Sequence, residues 1–276
     1  KKLNITATVI RALEEQHVLA VESEQVYRNP VHAENIQKKE IIYTQEQKRA
    51  IMRFCKDYEN GIRKTYLLHG VTGSGKTEVY MEMIQSVVDK GKQAIVLIPE
   101  IALTYQTVMR FYRCFGDRVS IMNSRLSAGE RYDQMMRAKR GEVDVMIGPR
   151  SALFTPFPDL GLIVIDEEHE PTYKSEQVPR YHAREVAVHR AEVEDASVVL
   201  GSATPSMEAM YRARLGEYQL YEMKNRSHTQ QMATVYTVDM RVELKNGNRS
   251  ILSEKLQELI EDRLNAKEQI MLFLNR

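Results

Sequence analysis

The stretch Gly70-Val-Thr-Gly-Ser-Gly-Lys-Thr77 has the spacing G-x-x-x-x-G-K-[ST], with an apolar run, TYLLHG, before it and a helical pattern after it. Residues of these types in this order can hold phosphate. Gly70, Gly73 and Gly75 allow the backbone to curl with its N–H groups turned inward, and Val71, Thr72 and Ser74 complete the loop. A helix opening at this point adds partial positive charge. Lys76 is expected at the β- and γ-phosphates, and the Thr77 hydroxyl at Mg²⁺. Further along, the run LGLIVI delivers Asp166-Glu-Glu-His169 to the end of a strand. Asp166 suits the Mg²⁺ shell, and Glu167 suits orienting and deprotonating an attacking water. Alone, such an acidic run would fit a solvated loop equally well. Together with the glycine loop it predicts one Mg·ATP site at the carboxyl edge of a sheet.

The elements around these residues alternate regularly. TYLLHG, QAIVLIP, RVSIMNS, DVMIG, LGLIVID and SVVLGSAT read as strands, and the segments between them read as amphipathic helices. Gly91, Gly116 and Gly216 mark helix ends, and Ser127 with Glu130 forms a capping box. Uninterrupted apolar strands alternating with helices predict an α/β fold, a parallel sheet covered on both faces. Residues 1–40 differ: a short helix carries Val9, Ile10 and Leu13, and a turn is expected at Asn29-Pro30. After about Asn225 a polar linker gives way to MATVYTVDM, expected as a strand, then a turn at KNGNRS, a helix capped by Ser253, and QIMLFL, expected as another strand. That order predicts an N-terminal tail over 1–40, a complete lobe over 41–225 and the beginning of a second α/β lobe over 226–276. IMLFL, an apolar run with nothing after it, reads as a strand reached in mid-domain.

Composition narrows the class. Of 276 residues, 43% are hydrophobic and 28% charged, which is ordinary for a water-soluble domain. A formal net charge of +1 confines any nucleic-acid surface to a local patch. Cys55 and Cys114, the two cysteines, sit in helix-like apolar stretches and predict buried thiols rather than a cysteine-rich zinc site. No apolar run is long enough to span a bilayer and no signal-peptide pattern opens the sequence, so a cytoplasmic location without membrane contact is expected. The methionines at helical spacing are read as core, and Arg137-Ala-Lys-Arg140 as a solvated helix end.

Asp-Glu-x-His at 166–169, followed by Gly201-Ser-Ala-Thr-Pro205 at a strand end, resembles motifs II and III of superfamily 2 helicases and translocases. YTQEQKRAI (43–51), LIPEIALTYQ (97–106) and IGPRSALF (147–154) resemble, in order, the segment ahead of the phosphate loop, motif Ia and motif Ib. With LSAGER and GSATPS added, the set is similar to the bacterial primosomal replication-restart DNA helicase family. Asn123, where a histidine is common, and Pro149, where a small hydroxyl residue is usual, depart from it.

That resemblance implies a RecA-like lobe that hydrolyses ATP to move along single-stranded DNA and open forks. It places an adenine contact at Gln47 and gives His169, Ser202 and Thr204 the coupling of hydrolysis to DNA. Arg150 and an aromatic–basic loop carrying Tyr173, Lys174, Arg180, Tyr181, His182 and Arg184 would touch DNA. It further implies forked DNA, primosome proteins and single-stranded-DNA-binding protein as partners, and a winged-helix origin for the N-terminal tail. Zinc belongs with the family's second-lobe cysteines, which have no counterpart among these residues. A piece without the capping second lobe and its arginine finger is expected to bind nucleotide and turn it over slowly. Another superfamily 2 translocase, a non-catalytic nucleic-acid or primosome-binding module, and an RNA-directed enzyme are the competing readings.

Overall fold

Among the described residues seven strands form: β1 (Thr65–Gly70), β2 (Gln93–Leu97), β3 (Val119–Ile121), β4 (Val145–Gly148), β5 (Leu160–Ile165), β6 (Ser197–Ser202) and β7 (Gln219–Met223). They pair in parallel in the order β3-β4-β2-β5-β6-β1-β7. The computed structural model describes residues 7–19, 42–226 and 234–274. By its internal contacts the chain divides into two units, Lys1–Thr229 and Gln230–Arg276. Helix α1 (Ala7–Glu15) carries Val9, Ile10 and Leu13, as expected, while the anticipated turn at Asn29-Pro30 lies outside the described residues.

A parallel sheet must be covered on both faces, and the side-chain period of two sorts its residues accordingly. One core takes Tyr66, Leu68, Val96, Val164 and Val199 under α2 (Gln45–Glu59), α3 (Lys76–Val88) and α4 (Tyr105–Phe115). The other takes their neighbours Leu67, Ile95, Leu97, Ile163, Ile165 and Leu200 under α5 (Ala128–Lys139), α6 (Ala183–Val193) and α7 (Met207–Arg214). Each of these strand residues is fully buried, a burial that stabilises by about 1.5–3 kcal/mol per large side chain. The arrangement fixes register, because a slip of one residue would exchange the two cores.

Helix starts follow capping chemistry. Ser127 and Glu130 form the expected capping box of α5, and Thr44 with Gln47 forms another at α2. Gly116 ends α4. β7 is the strand that sequence reading omits: it is an edge strand in which only Met223 is buried, so it shows no continuous apolar run. Cys55 and Cys114 are half-buried thiols outside any disulfide, less enclosed than predicted. Among the described residues no helix is long and apolar enough to cross a membrane.

The second unit departs from expectation. Residues 234–239 form no strand, Met240–Lys245 is a helix (α8) and α9 (Glu254–Asn265) starts at its predicted cap Ser253. The run at 270–274 is not a strand either, with Met271 and Phe273 almost wholly exposed. Strands exist through pairing, and the described residues of this unit present no neighbouring strand to either segment. Apolar content alone does not make one.

Candidate active site

β1 ends at Gly70, and the chain then curls rather than continuing. Val71 N–H donates to the Met223 carbonyl at 3.1 Å and Ser74 N–H to the Val71 carbonyl at 2.9 Å. Gly73 and Gly75 both take φ of +81°, a left-handed conformation natural to glycine. Gly75 is the N-cap of α3 and supplies no side-chain cap, leaving the first-turn N–H groups uncovered by their own chain. Gln47 secures the turn from behind. Its amide nitrogen donates to the Ser74 carbonyl at 2.9 Å, while its oxygen accepts from Thr44 N–H at 2.7 Å. A Cβ on Gly75 would collide with that amide.

Lys76 is buried, and its ammonium donates to the Gly70 carbonyl at 3.0 Å. Its Nζ also stands 3.9 Å from Glu167 Oε1. The acidic tip of β5 and the glycine loop therefore meet. A pocket of about 330 Å³ is lined by Thr72, Gly73, Gly75, Lys76, Thr77, Glu78, Arg110, Asp166 and Glu167. Gly70, Val71 and Ser74 are not among the residues that line it. The Ser74 hydroxyl is buried without a hydrogen-bond partner.

Asp166 is held on several sides. Its Oδ1 accepts from the Tyr80 hydroxyl and from Glu167 N–H, both at 3.1 Å. Its main-chain carbonyl accepts from the Tyr173 hydroxyl at 2.7 Å. Burial, reinforced by the neighbouring Glu167 charge, raises its pKa to about 6, against the pull of the Tyr80 hydrogen bond and Lys76. Tyr80 crosses the sheet edge because residue 201 is glycine: a Cβ there would overlap the Tyr80 hydroxyl. Burial first, then Asp166, pushes the Tyr80 phenol well up, so it stays a donor. Glu167 takes φ of +47°, the left-handed region that costs a non-glycine residue energy.

The rest of the tip turns to β6. His169 Nδ1 shares a hydrogen bond with Ser202 Oγ at 2.7 Å and lies 3.7 Å from Glu167 Oε2, and Ser202 Oγ accepts from Thr204 N–H at 3.0 Å. Glu168 is buried and accepts from Arg184 at 3.1 Å and from both Ser206 donors, at 2.6 and 3.0 Å.

Several expected placements change. Gln47 is buried with its amide engaged by two main-chain groups, so it supports the loop rather than facing a base. Tyr173 is 1% exposed and Arg184 6%. The first bonds beneath Asp166 and the second pairs with Glu168, so neither is presented to a nucleic acid. Arg150 donates to the Thr172 and Lys174 carbonyls at 3.0 and 2.5 Å and lies 5.4 Å from the Tyr181 ring, which also meets Phe154 edge-on at 5.4 Å. It organises the loop. Lys174 and Arg180 are exposed, and Tyr181 and His182 are half-buried. Burial, with help from Arg184, lowers the His182 pKa, favouring the neutral ring that accepts from Arg184 N–H at 3.2 Å. Tyr80, Glu78 and Arg110 belong to no motif in the sequence: within helical stretches a tyrosine reads as core and a charge as surface.

A glycine turn and an acidic strand tip sharing one pocket define a P-loop protein of the helicase type. Residues 44–212 match the profile of the DEAD/DEAH box helicase, and the chain belongs to that family. Among curated proteins it is similar to "Replication restart protein PriA" of Bacillus subtilis (strain 168), with 47% identity over 277 residues, covering 100% of this chain and 34% of that protein. It is also similar to "Replication restart protein PriA" of Chlamydia pneumoniae, with 42% identity over 233 residues, covering 84% of this chain and 31% of that protein. The chain thus spans about a third of the length of these curated relatives. Among solved structures, that of RecG bound to a three-way DNA junction has 23% identity and a TM-score of 0.53, over 70% of this chain and 25% of that one. That likeness concerns the fold.

Proposed function

We propose that this chain is the nucleotide-binding lobe of a DNA helicase of replication restart, in which Mg·ATP hydrolysis drives movement on single-stranded DNA and opening of forks. The observation that carries the reading is the shared pocket of Lys76, Thr77, Asp166 and Glu167. The cradle fits a polyphosphate: glycines where a Cβ would collide, an uncapped helix N-terminus, and a buried Ser74 hydroxyl lacking a partner. Thr77 and Asp166 would hold Mg²⁺, which neutralises phosphate charge when bound. Among the described residues no three His, Cys, Asp or Glu side chains are grouped to hold a metal alone. A hard cation that keeps waters and takes phosphate oxygens needs fewer protein ligands.

In this reading Lys76 exchanges the Gly70 carbonyl for phosphate oxygen. Glu167 orients a water and takes its proton, with the nearby His169–Ser202 pair relaying its position to β6. Lys174, Arg180, Tyr181 and the exposed Phe154 offer cations and rings to a single strand, where stacking contributes about 1–3 kcal/mol per base. The relatives' name supports a role in replication restart, with primosome proteins and single-stranded-DNA-binding protein as proposed partners.

Calorimetry with Mg·ADP and a non-hydrolysable ATP analogue tests the reading. Binding that disappears in Lys76→Ala is expected, with slow turnover by the chain alone. An intact chain that binds neither nucleotide would leave a non-catalytic module as the reading.

A further inference from the structure

Arg110, on α4, reaches the mouth of the pocket that the glycine loop and Asp166 line, although no sequence motif points to it. Its Nη1 stands 3.6 Å from Oε1 of Glu78, the residue after Thr77 in the first turn of α3. At that distance the two share charge but no hydrogen bond. The Arg110 side chain is 53% exposed, so the pair restrains it weakly. Glu78 does not depend on Arg110, because a carboxylate in the first turn is already favoured by the helix dipole. A phosphate, by contrast, accepts the planar guanidinium fork through two charge-assisted hydrogen bonds.

The charge lining the pocket points the same way. Glu78, Asp166 and Glu167 face Lys76 and Arg110, so carboxylates outnumber cations where an anion has to bind. Lys76 has the Gly70 carbonyl and Glu167 as its neighbours. Among the described residues Arg110 is held by the long contact to Glu78, with its side chain half exposed and room to turn.

We infer that Arg110 is a further nucleotide-binding residue, resting against Glu78 and moving onto the phosphate oxygens of a nucleoside di- or triphosphate that enters. This rests on the reading of the pocket as a nucleotide site. Glu78 is then a holding group rather than a ligand.

Mg·ADP affinity of the intact chain, Arg110→Ala, Arg110→Lys, Glu78→Gln and Lys76→Ala tests this, with the melting temperature of each measured without nucleotide. Arg110→Ala is expected to bind about tenfold more weakly, as loss of a charged hydrogen bond at a solvent-exposed position implies. Its affinity should also depend less steeply on salt. Arg110→Lys should recover part of the loss. Glu78→Gln should bind at least as tightly as the intact chain, and all melting temperatures should stay close together.

Arg110→Ala binding within twofold of the intact chain, while Lys76→Ala fails to bind, would overturn the inference and leave the nucleotide site standing. Equal weakening in Arg110→Ala and Glu78→Gln would also overturn it, since the ion pair itself would then shape the pocket. An intact chain that does not bind Mg·ADP would remove both readings.

Discussion

At the tips of β1 and β5, Lys76, Thr77, Asp166 and Glu167 turn toward one pocket, whereas beside them Tyr173 and Arg184 turn inward. Both regions are rich in groups that do chemistry, and both follow an apolar strand. The difference lies in what aims them. Residues at a parallel strand's carboxyl end are aimed by the sheet itself, which leaves them outside the ladder and above the switch in strand order. Residues of a folded-back loop are aimed by their own partners. Here those partners are the Asp166 and Leu97 carbonyls for Tyr173, at 2.7 and 3.1 Å, and Glu168 for Arg184, at 3.1 Å.

Five substitutions would break or sharpen that contrast. Arg184→Ala leaves Glu168 as a buried, uncompensated charge and should destabilise the fold by about 3–5 kcal/mol. Thermal unfolding measures this. A variant that melts normally but loses DNA affinity would put Arg184 back on the nucleic-acid side.

Asp166→Asn tests the strand tip. The Asp166 pKa is raised from 3.8 to about 6, so the folded chain holds this proton at pH values where the unfolded chain has released it. Stability therefore falls as pH rises between about 4 and 6, by up to about 3 kcal/mol. In EDTA, Asp166→Asn should unfold at a higher temperature than the parent at pH 8, and the gain should vanish near pH 4. An equal gain at both pH values would mean the carboxylate's burial is not its cause.

Gly201→Ala should cost about 2 kcal/mol, because the new methyl displaces the Tyr80 hydroxyl from Asp166. Adding Tyr80→Phe should return part of that stability, since it removes the overlapping atom. If the double variant is simply as unstable as the two losses summed, the overlap is not the mechanism. Smallest is Tyr181→Ala, which should weaken single-stranded DNA binding by about 1 kcal/mol and leave Mg·ADP affinity unchanged. Anisotropy with a labelled oligonucleotide reads the first and calorimetry the second. Loss of nucleotide binding instead would make this ring part of the pocket's support.

What the sequence makes legible follows from the same contrast. LGLIVI and SVVLGS are strands because six consecutive buried positions leave no polar face for any other element, and Ser127 and Ser253 cap helices through bonds made within four residues. These signals are local. β7 escapes because an edge strand with only Met223 buried carries no apolar run. The α2 start was available in Thr44-Gln-Glu-Gln47, the same capping spacing that marks α5. The phosphate loop and acidic tip were legible as residues, and their meeting across one pocket followed from strand order. The Tyr80–Gly201 crossing and Arg110 were not, since each depends on elements distant in sequence, α3 against β6 in the first and α4 against α3 in the second. QIMLFL shows the opposite error, an apolar run that finds no strand to pair with among the described residues.

β7 gives the glycine loop a mechanical connection. The Met223 carbonyl holds Val71 N–H, and two residues later Asn225 binds Glu46 on α2, at 3.2 Å through its main chain and 2.8 Å through its side chain. Glu46 is the neighbour of Gln47, which grips the loop at Ser74. Tension applied to the chain beyond residue 225 would thus be felt at both ends of the turn, through one strand and one helix. Residues 223–225 are strung like a drawcord behind the loop.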